Sequence, residues 1–183
     1  MTRRLEGYCF LVAFILTIPI ANWMIGNVGA VCPPKSPCLI PVGFGIMAPS
    51  GVLMIGLALV LRDLVQRRLG KLWAIGAILV GALLSAAIAP PALVIASGVA
   101  FLISELADFA VYTPLQEKRL ILAVFLSGIV GLVLDSVLFL QLAFGSLDYI
   151  TGQIIGKSWM IIIALPIIWW IRNRDEKLGI RPA

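Results

Sequence analysis

The sequence predicts an all-α integral membrane protein: a six-transmembrane-helix bundle, one domain over residues 1–183, with both termini cytoplasmic. Three observations predict it. The chain is 61% hydrophobic and 13% charged, with a mean hydropathy of +1.08, against roughly 45–50% and 25% for a soluble domain. Apolar runs of about 20 residues, the length that crosses a bilayer, recur along it. Basic residues gather at alternate ends of these runs. They read as topology anchors, so the net charge of +5 does not call for a nucleic-acid partner, which would need a basic stripe with interleaved aromatics.

The first span runs from Tyr8 to Val28, behind Arg3 and Arg4. It exceeds the h-region of a secretory signal, about 7–15 residues, and has no convincing small-residue cleavage site, so it is expected to be retained. Cys9 within it reads as a small buried hydrophobe. Further spans are Ile46 to Val65, Leu72 to Ala89, Ala92 to Tyr112, Leu120 to Phe144 and Ile150 to Ile171. Arg67, Arg68 and Lys71 follow the second, Lys118 and Arg119 the fourth, and Arg172, Arg174, Lys177 and Arg181 the sixth. The opposite side carries Lys35 alone, with the Pro90-Pro91 turn and the Asp148 loop. Since cytoplasmic loops carry the excess of Lys and Arg, both termini are expected on the cytoplasmic side.

The loop VCPPKSPCLIP would then be external. Cys32 and Cys38, separated by five residues, either close a disulfide over a binding site or remain free thiols in a loop stiffened by Pro33, Pro34, Pro37 and Pro41. No histidine is present, which removes the commonest general base and zinc ligand; no metal site and no cofactor are expected.

Ionisable groups inside the apolar runs carry the functional signal, because a charge at the bilayer centre costs at least ~2.5–3.5 kcal/mol. At about 1.5 Å of rise per residue they sort into two layers. Asn22, Asp135, Ser136, Gln141, Gln153 and Lys157 fall toward the external half. Arg62, Asp63, Glu105 and Asp108 fall toward the cytoplasmic half. Asp135 with Lys157, and Arg62 with Glu105 or Asp108, are candidate ion pairs. Glu105 and Asp108 share a helix face, where two carboxylates repel unless a cation, a proton or a donor-rich ligand lies between them; the alternative is that these charges only join helices. Asn22, Trp23, Glu105, Asp108, Asp135, Gln153 and Lys157 are the candidate substrate-binding residues, with Arg62 and Asp63 as structural or coupling charges. Trp23 reads either as an interface anchor, like Trp159, Trp169 and Trp170, or as a stacking wall for a flat ligand.

Gly152-x-x-x-Gly156 matches a helix-packing spacing. With Lys157 and Ser158 it imitates a phosphate loop, but three residues separate its glycines where four are required, and no strand precedes it. There is also no G-x-S-x-G or H-E-x-x-H motif, so hydrolase chemistry has no support. An enzyme using Glu105 and Asp108 is the weakest expectation.

RDLVQRRLG (Arg62 to Gly70), SELADFAVYTPL (Ser104 to Leu115), GLVLDSVLFLQLAFG (Gly131 to Gly145) and GKSWMIIIALP (Gly156 to Pro166) resemble the matching spans of the queuosine-precursor transporter family, also called vitamin-uptake-transporter-like. The resemblance implies a six-helix bacterial inner-membrane protein that imports 7-cyano- and 7-aminomethyl-7-deazaguanine. It also implies an architecture similar to the substrate-binding components of energy-coupling-factor vitamin transporters. Asp63, Glu105, Asp108, Asp135 and Lys157 occupy the matching positions, while the CPPKSPC loop and the segment Ala48 to Gly51 depart from the pattern. The expected partners are a nucleobase-like small molecule and the lipid bilayer, with a homo-oligomer left open. The alternative is a binding subunit for another vitamin or purine-like compound that works with separate ATPase and coupling proteins.

Overall fold

The computed structural model describes residues 3–33, 37–89 and 91–180. Pro34, Lys35, Pro90 and Arg181, named above, lie outside them. The chain forms α1 (Arg3–Asn27), a hairpin of β1 (Leu39–Gly43) and β2 (Ile46–Pro49), α2 (Val52–Leu69), α3 (Lys71–Ile88), a single 3-10 turn (Pro91–Leu93), α4 (Val94–Leu115), α5 (Leu120–Phe144) and α6 (Ile150–Leu178). Five of these helices, α1 and α3 to α6, are long and apolar enough to cross a membrane. The outward faces carry Leu, Ile, Val and Trp side chains, as expected where lipid replaces water.

The second predicted span needs the largest correction. Ile46 to Pro49 is a strand, not the start of a helix, and α2 begins only at Val52. Gly43, Phe44 and Gly45 at the hairpin tip all take positive φ (113°, 54° and 72°), a tight reversal that a helix could not contain. Phe44 is 88% exposed there.

α2 carries Arg62, Asp63, Arg67 and Arg68 within 18 residues, too many charges for a span judged by composition. It tolerates them because it packs against α1, α3, α4, α5 and α6, so its polar groups meet protein instead of lipid. Gly56 permits one of the closest of these approaches. A Cβ at Gly56 would stand 2.6 Å from the Lys157 carbonyl oxygen and 2.9 Å from the Lys157 Cα, so the α2 and α6 backbones touch where Lys157 is mounted. Between α2 and α3 the link is Gly70 alone, at φ 99°, a conformation that suits glycine.

The basic clusters meet at one end of the bundle, and several are more than anchors. Arg67 and Arg68 are buried and donate to the Asp175 carboxylate of α6 at 2.8–3.1 Å. Arg68 Nε lies 2.9 Å from Glu6 of α1, and Arg174 grips Glu6 with two bonds of 2.6 and 2.7 Å. This network clasps α1, α2 and α6. Bidentate guanidinium–carboxylate pairs give such a clasp geometric specificity as well as strength.

At the opposite end, the hairpin hangs from α1 and the segment after it through backbone bonds from Cys38 to Ile25 (2.8 Å) and from Ala30 to Leu39 (2.8 Å). Cys32 and Cys38 are joined as a disulfide. Gly152, expected to pack helix on helix, instead seats this hairpin, since a Cβ there would collide with the Met47 carbonyl oxygen; Gly156 packs against a helix as expected, its nearest neighbour being Val52 of α2, and also meets Val42 of β1. Trp159, read as an anchor, donates its indole N–H to the Val42 carbonyl at 2.8 Å. Cys9 is exposed on the outer face of α1, not buried.

Candidate functional site: a cavity beneath the hairpin

Below the hairpin lies a cavity of about 160 Å³ to which all six helices contribute. α1 supplies Ala21, Asn22, Ile25 and Gly26; Pro49, Gly51, Val52 and Ile55 come from the hairpin exit and α2. Ser85 comes from α3, Leu93, Ser97 and Phe101 from the 3-10 turn and α4, Asp135 and Phe139 from α5, and Gln153 and Lys157 from α6. Its wall is mainly apolar, with a few convergent polar groups, the usual makeup of a small-molecule site.

The polar side of the cavity is organised by Lys157. Its ammonium group donates to Asp135 Oδ2 at 2.6 Å, to Gln153 Oε1 at 2.7 Å and to Ser136 Oγ at 2.8 Å. An ammonium has three N–H donors, so all are used within the protein. Helical geometry explains the grouping: Gln153 stands one turn before Lys157 on α6, so the two share a face. Asp135 and Ser136 meet them across the α5–α6 contact. Lys157 is 1% exposed, and a cation so deeply buried requires a partner of this kind. The second oxygen of Asp135 has only a long contact, 3.5 Å, from Ser104 Oγ. It is the acceptor best placed to meet donors on a ligand. Asn22 lines the cavity and donates its own N–H to the Ile18 carbonyl at 3.0 Å, which leaves its amide oxygen for other donors.

Of the residues predicted from sequence, Asn22, Asp135, Gln153 and Lys157 come together here. Trp23 does not; it is 59% exposed on the outside of α1, because one residue further along a helix turns the side chain about 100° away from Asn22. The aromatic surfaces of the cavity are Phe101 and Phe139 instead. Both were legible by spacing, since Phe139 lies four residues after Asp135 and Phe101 four before Glu105, each one turn along a face already marked by a carboxylate. Ser85 and Ser97 carried no comparable signal. Gln141 is exposed and takes no part.

Glu105 and Asp108 do not line the cavity. They form a second centre, deeper by about one and two helical turns than Phe101, around the Arg62 guanidinium. Arg62 Nε donates to Glu105 at 3.1 Å, Nη1 lies 2.8 Å from Asp63, and Nη2 contacts Asp108. Gln66 receives a bond from Arg62 at 3.3 Å and donates to Thr113 at 3.0 Å. Ser127 of α5 donates to Asp63 at 3.2 Å. The two layers drawn from sequence are therefore two separate constellations, one open to a cavity and one sealed within the bundle.

The chain matches no curated protein and no solved structure. Residues 88–171 match the model of a family described as "Putative vitamin uptake transporter". That segment contains Phe101, Asp135, Phe139, Gln153 and Lys157 of the cavity, and Glu105 and Asp108 of the deeper centre. The half of this multi-pass membrane protein that builds most of the polar cavity wall is thus similar to vitamin uptake transporters.

Proposed function

We propose that this protein is a bacterial inner-membrane importer of queuosine precursors, 7-cyano- or 7-aminomethyl-7-deazaguanine, with all six helices crossing the bilayer and both termini cytoplasmic. The basic end of the bundle then faces the cytoplasm, as the positive-inside bias requires. The hairpin and its disulfide face the oxidising side. One observation carries the proposal: the cavity combines a fixed carboxylate, an amide-bearing wall and two aromatic surfaces within a space of about 160 Å³. A deazaguanine presents N–H donors along its pyrimidine edge, which suit Asp135. Its carbonyl oxygen suits the Gln153 amide, and its flat ring suits the aromatic surfaces of Phe101 and Phe139. The segment similar to vitamin uptake transporters supports uptake. The four resembling motifs support the deazaguanine class.

The test is thermal stabilisation of the purified protein by a panel of purines, deazapurines and vitamins, repeated with Asp135→Asn and Glu105→Gln. A ligand that binds only the folded state at 100 times its Kd adds about 2.7 kcal/mol of apparent stability. Deazaguanines are expected to stabilise the native chain and to lose that effect in Asp135→Asn, whereas Glu105→Gln, outside the cavity, keeps it. Stabilisation by another vitamin with none by deazaguanines would replace the substrate assignment. Uptake by the chain reconstituted alone would exclude a binding subunit dependent on an ATPase.

A further inference from the structure

The deeper centre has a charge imbalance. Asp63, Glu105 and Asp108 contribute three negative charges when ionised, against the single positive charge of Arg62, and all four residues are 0–1% exposed. Ionised carboxylates without counter-charge cost several kcal/mol each in such surroundings, and buried groups in that position neutralise instead. Among the described residues the other buried cations are committed elsewhere: Lys157, facing from α6, to Asp135, and Arg67 and Arg68 of α2 to Asp175. From α5 the Ser127 hydroxyl meets Asp63; from α4 Thr113 accepts from Gln66 and the Tyr112 ring flanks Arg62.

Hydrogen bonding leaves the same gap. Asp63 Oδ1 and Asp108 Oδ1 are met only by the Arg62 guanidinium, and Asp108 Oδ2 has no hydrogen-bond partner. Independently, the Tyr112 hydroxyl is wholly buried and has no partner, although its ring sits 5.7 Å from the Arg62 guanidinium. Orphaned buried acceptors of this kind are uncommon in native proteins and call for an occupant. The carboxylates surround the guanidinium, not one another, and among the described residues no three Asp, Glu, His or Cys side chains are arranged to hold a metal ion. A proton needs no coordination shell. On the Gly131 side of Asp108 even a Cβ would stand only 2.7 Å from Leu59 and 3.1 Å from Asp108 Oδ2, so that side is closed to a larger ion.

Asp135, in the cavity, reaches α4 at the residue next to Glu105 in sequence. Ser104, adjacent to Glu105 in sequence, places its hydroxyl 3.5 Å from Asp135 Oδ1, and Asp135 lines the cavity. In the other direction Gln66 and Thr113 extend the polar chain toward the basic end.

We infer that the Arg62–Asp63–Glu105–Asp108 centre is a proton-carrying site, with at least one carboxylic proton at neutral pH, and that it exchanges protons with the cavity through Ser104 and Asp135 so that substrate and proton enter together. The proton comes from the external medium through the cavity, replaces a carboxylate's missing counter-charge, and leaves on the cytoplasmic side. The coupling half of this inference rests on the importer proposed above; the proton site does not.

Two measurements on the full-length protein test it. Infrared spectroscopy in an ester-free detergent is expected to show the carbonyl stretch of a protonated carboxylic acid at neutral pH, shifted in heavy water and removed by at least one of Asp63→Asn, Glu105→Gln and Asp108→Asn. In proteoliposomes with the membrane potential clamped at zero, one pH unit, acidic outside, is expected to drive about tenfold accumulation of a labelled deazaguanine if one proton accompanies each substrate. A protonophore should abolish it, and the variant that removes the infrared band should abolish it too. Absence of the band overturns the proton site. Substrate exchange that proceeds while the gradient drives no accumulation overturns the coupling. If no deazaguanine is exchanged at all, the substrate assignment fails and the proton site stands or falls on the infrared band alone.

Discussion

Lys157 and Asp135 hold each other at 2.6 Å across the α5–α6 contact, and Lys157 has no N–H left over once Ser136 and Gln153 are counted. Each residue is the condition for burying the other. Lys157→Met and Asp135→Asn are each expected to destabilise the protein by ~3–5 kcal/mol, the cost of stranding a buried charge. The double variant should recover most of the loss. A double-mutant cycle in detergent by chemical or thermal denaturation measures this, and additive losses would show that the pair is not coupled.

Phe139, rather than Trp23, is expected to form the flat wall of the site. Phe139→Ala should weaken ligand binding about tenfold, equivalent to ~1.4 kcal/mol, within the range of an aromatic contact with its buried area. Trp23→Ala should leave affinity unchanged. Titration of ligand-dependent stabilisation for the two variants decides between them.

Asp175 is the hub of the clasp at the basic end, with four bonds from Arg67 and Arg68. Asp175→Asn is expected to lower the denaturation midpoint by an amount equivalent to ~3–5 kcal/mol, since buried Arg67 loses its counter-charge and Arg68 is left with Glu6 alone. Ligand affinity, set at the other end of the bundle, should change little. An affinity loss larger than the stability loss would place the clasp in the transport cycle instead.

The Cys32–Cys38 bond closes a loop with five residues between its cysteines. By loop entropy it contributes about 2 kcal/mol to holding that loop. Reduction, or Cys32→Ser with Cys38→Ser, is expected to speed hydrogen exchange at the hairpin amides while leaving α4 and α5 protected. Gly152→Leu should displace the hairpin more severely, because the Met47 carbonyl oxygen occupies the space its side chain would need. Proteolysis within the hairpin is the simplest readout.

Hydropathy and basic-residue placement were enough to mark five membrane-length helices, because lipid demands long apolar runs whatever their neighbours; the polar ends of α1 and α6, Arg3 onward and up to Leu178, extend beyond the apolar runs. The same local rule marked Asn22, Asp135, Gln153 and Lys157 as costly and therefore significant. It could not show that Ile46 to Pro49 turns back as a hairpin strand, since a short apolar run reads alike as strand or helix. Nor could it separate Glu105 and Asp108 from the cavity. Their place was decided by α2, which the fold puts at the centre of the bundle so that Arg62 faces three carboxylates from two helices. Insertion cost is a property of a single residue in its own segment, and so is written in the sequence. Which charges meet, and which face an open cavity, depends on helices distant in the chain and is decided only when they pack.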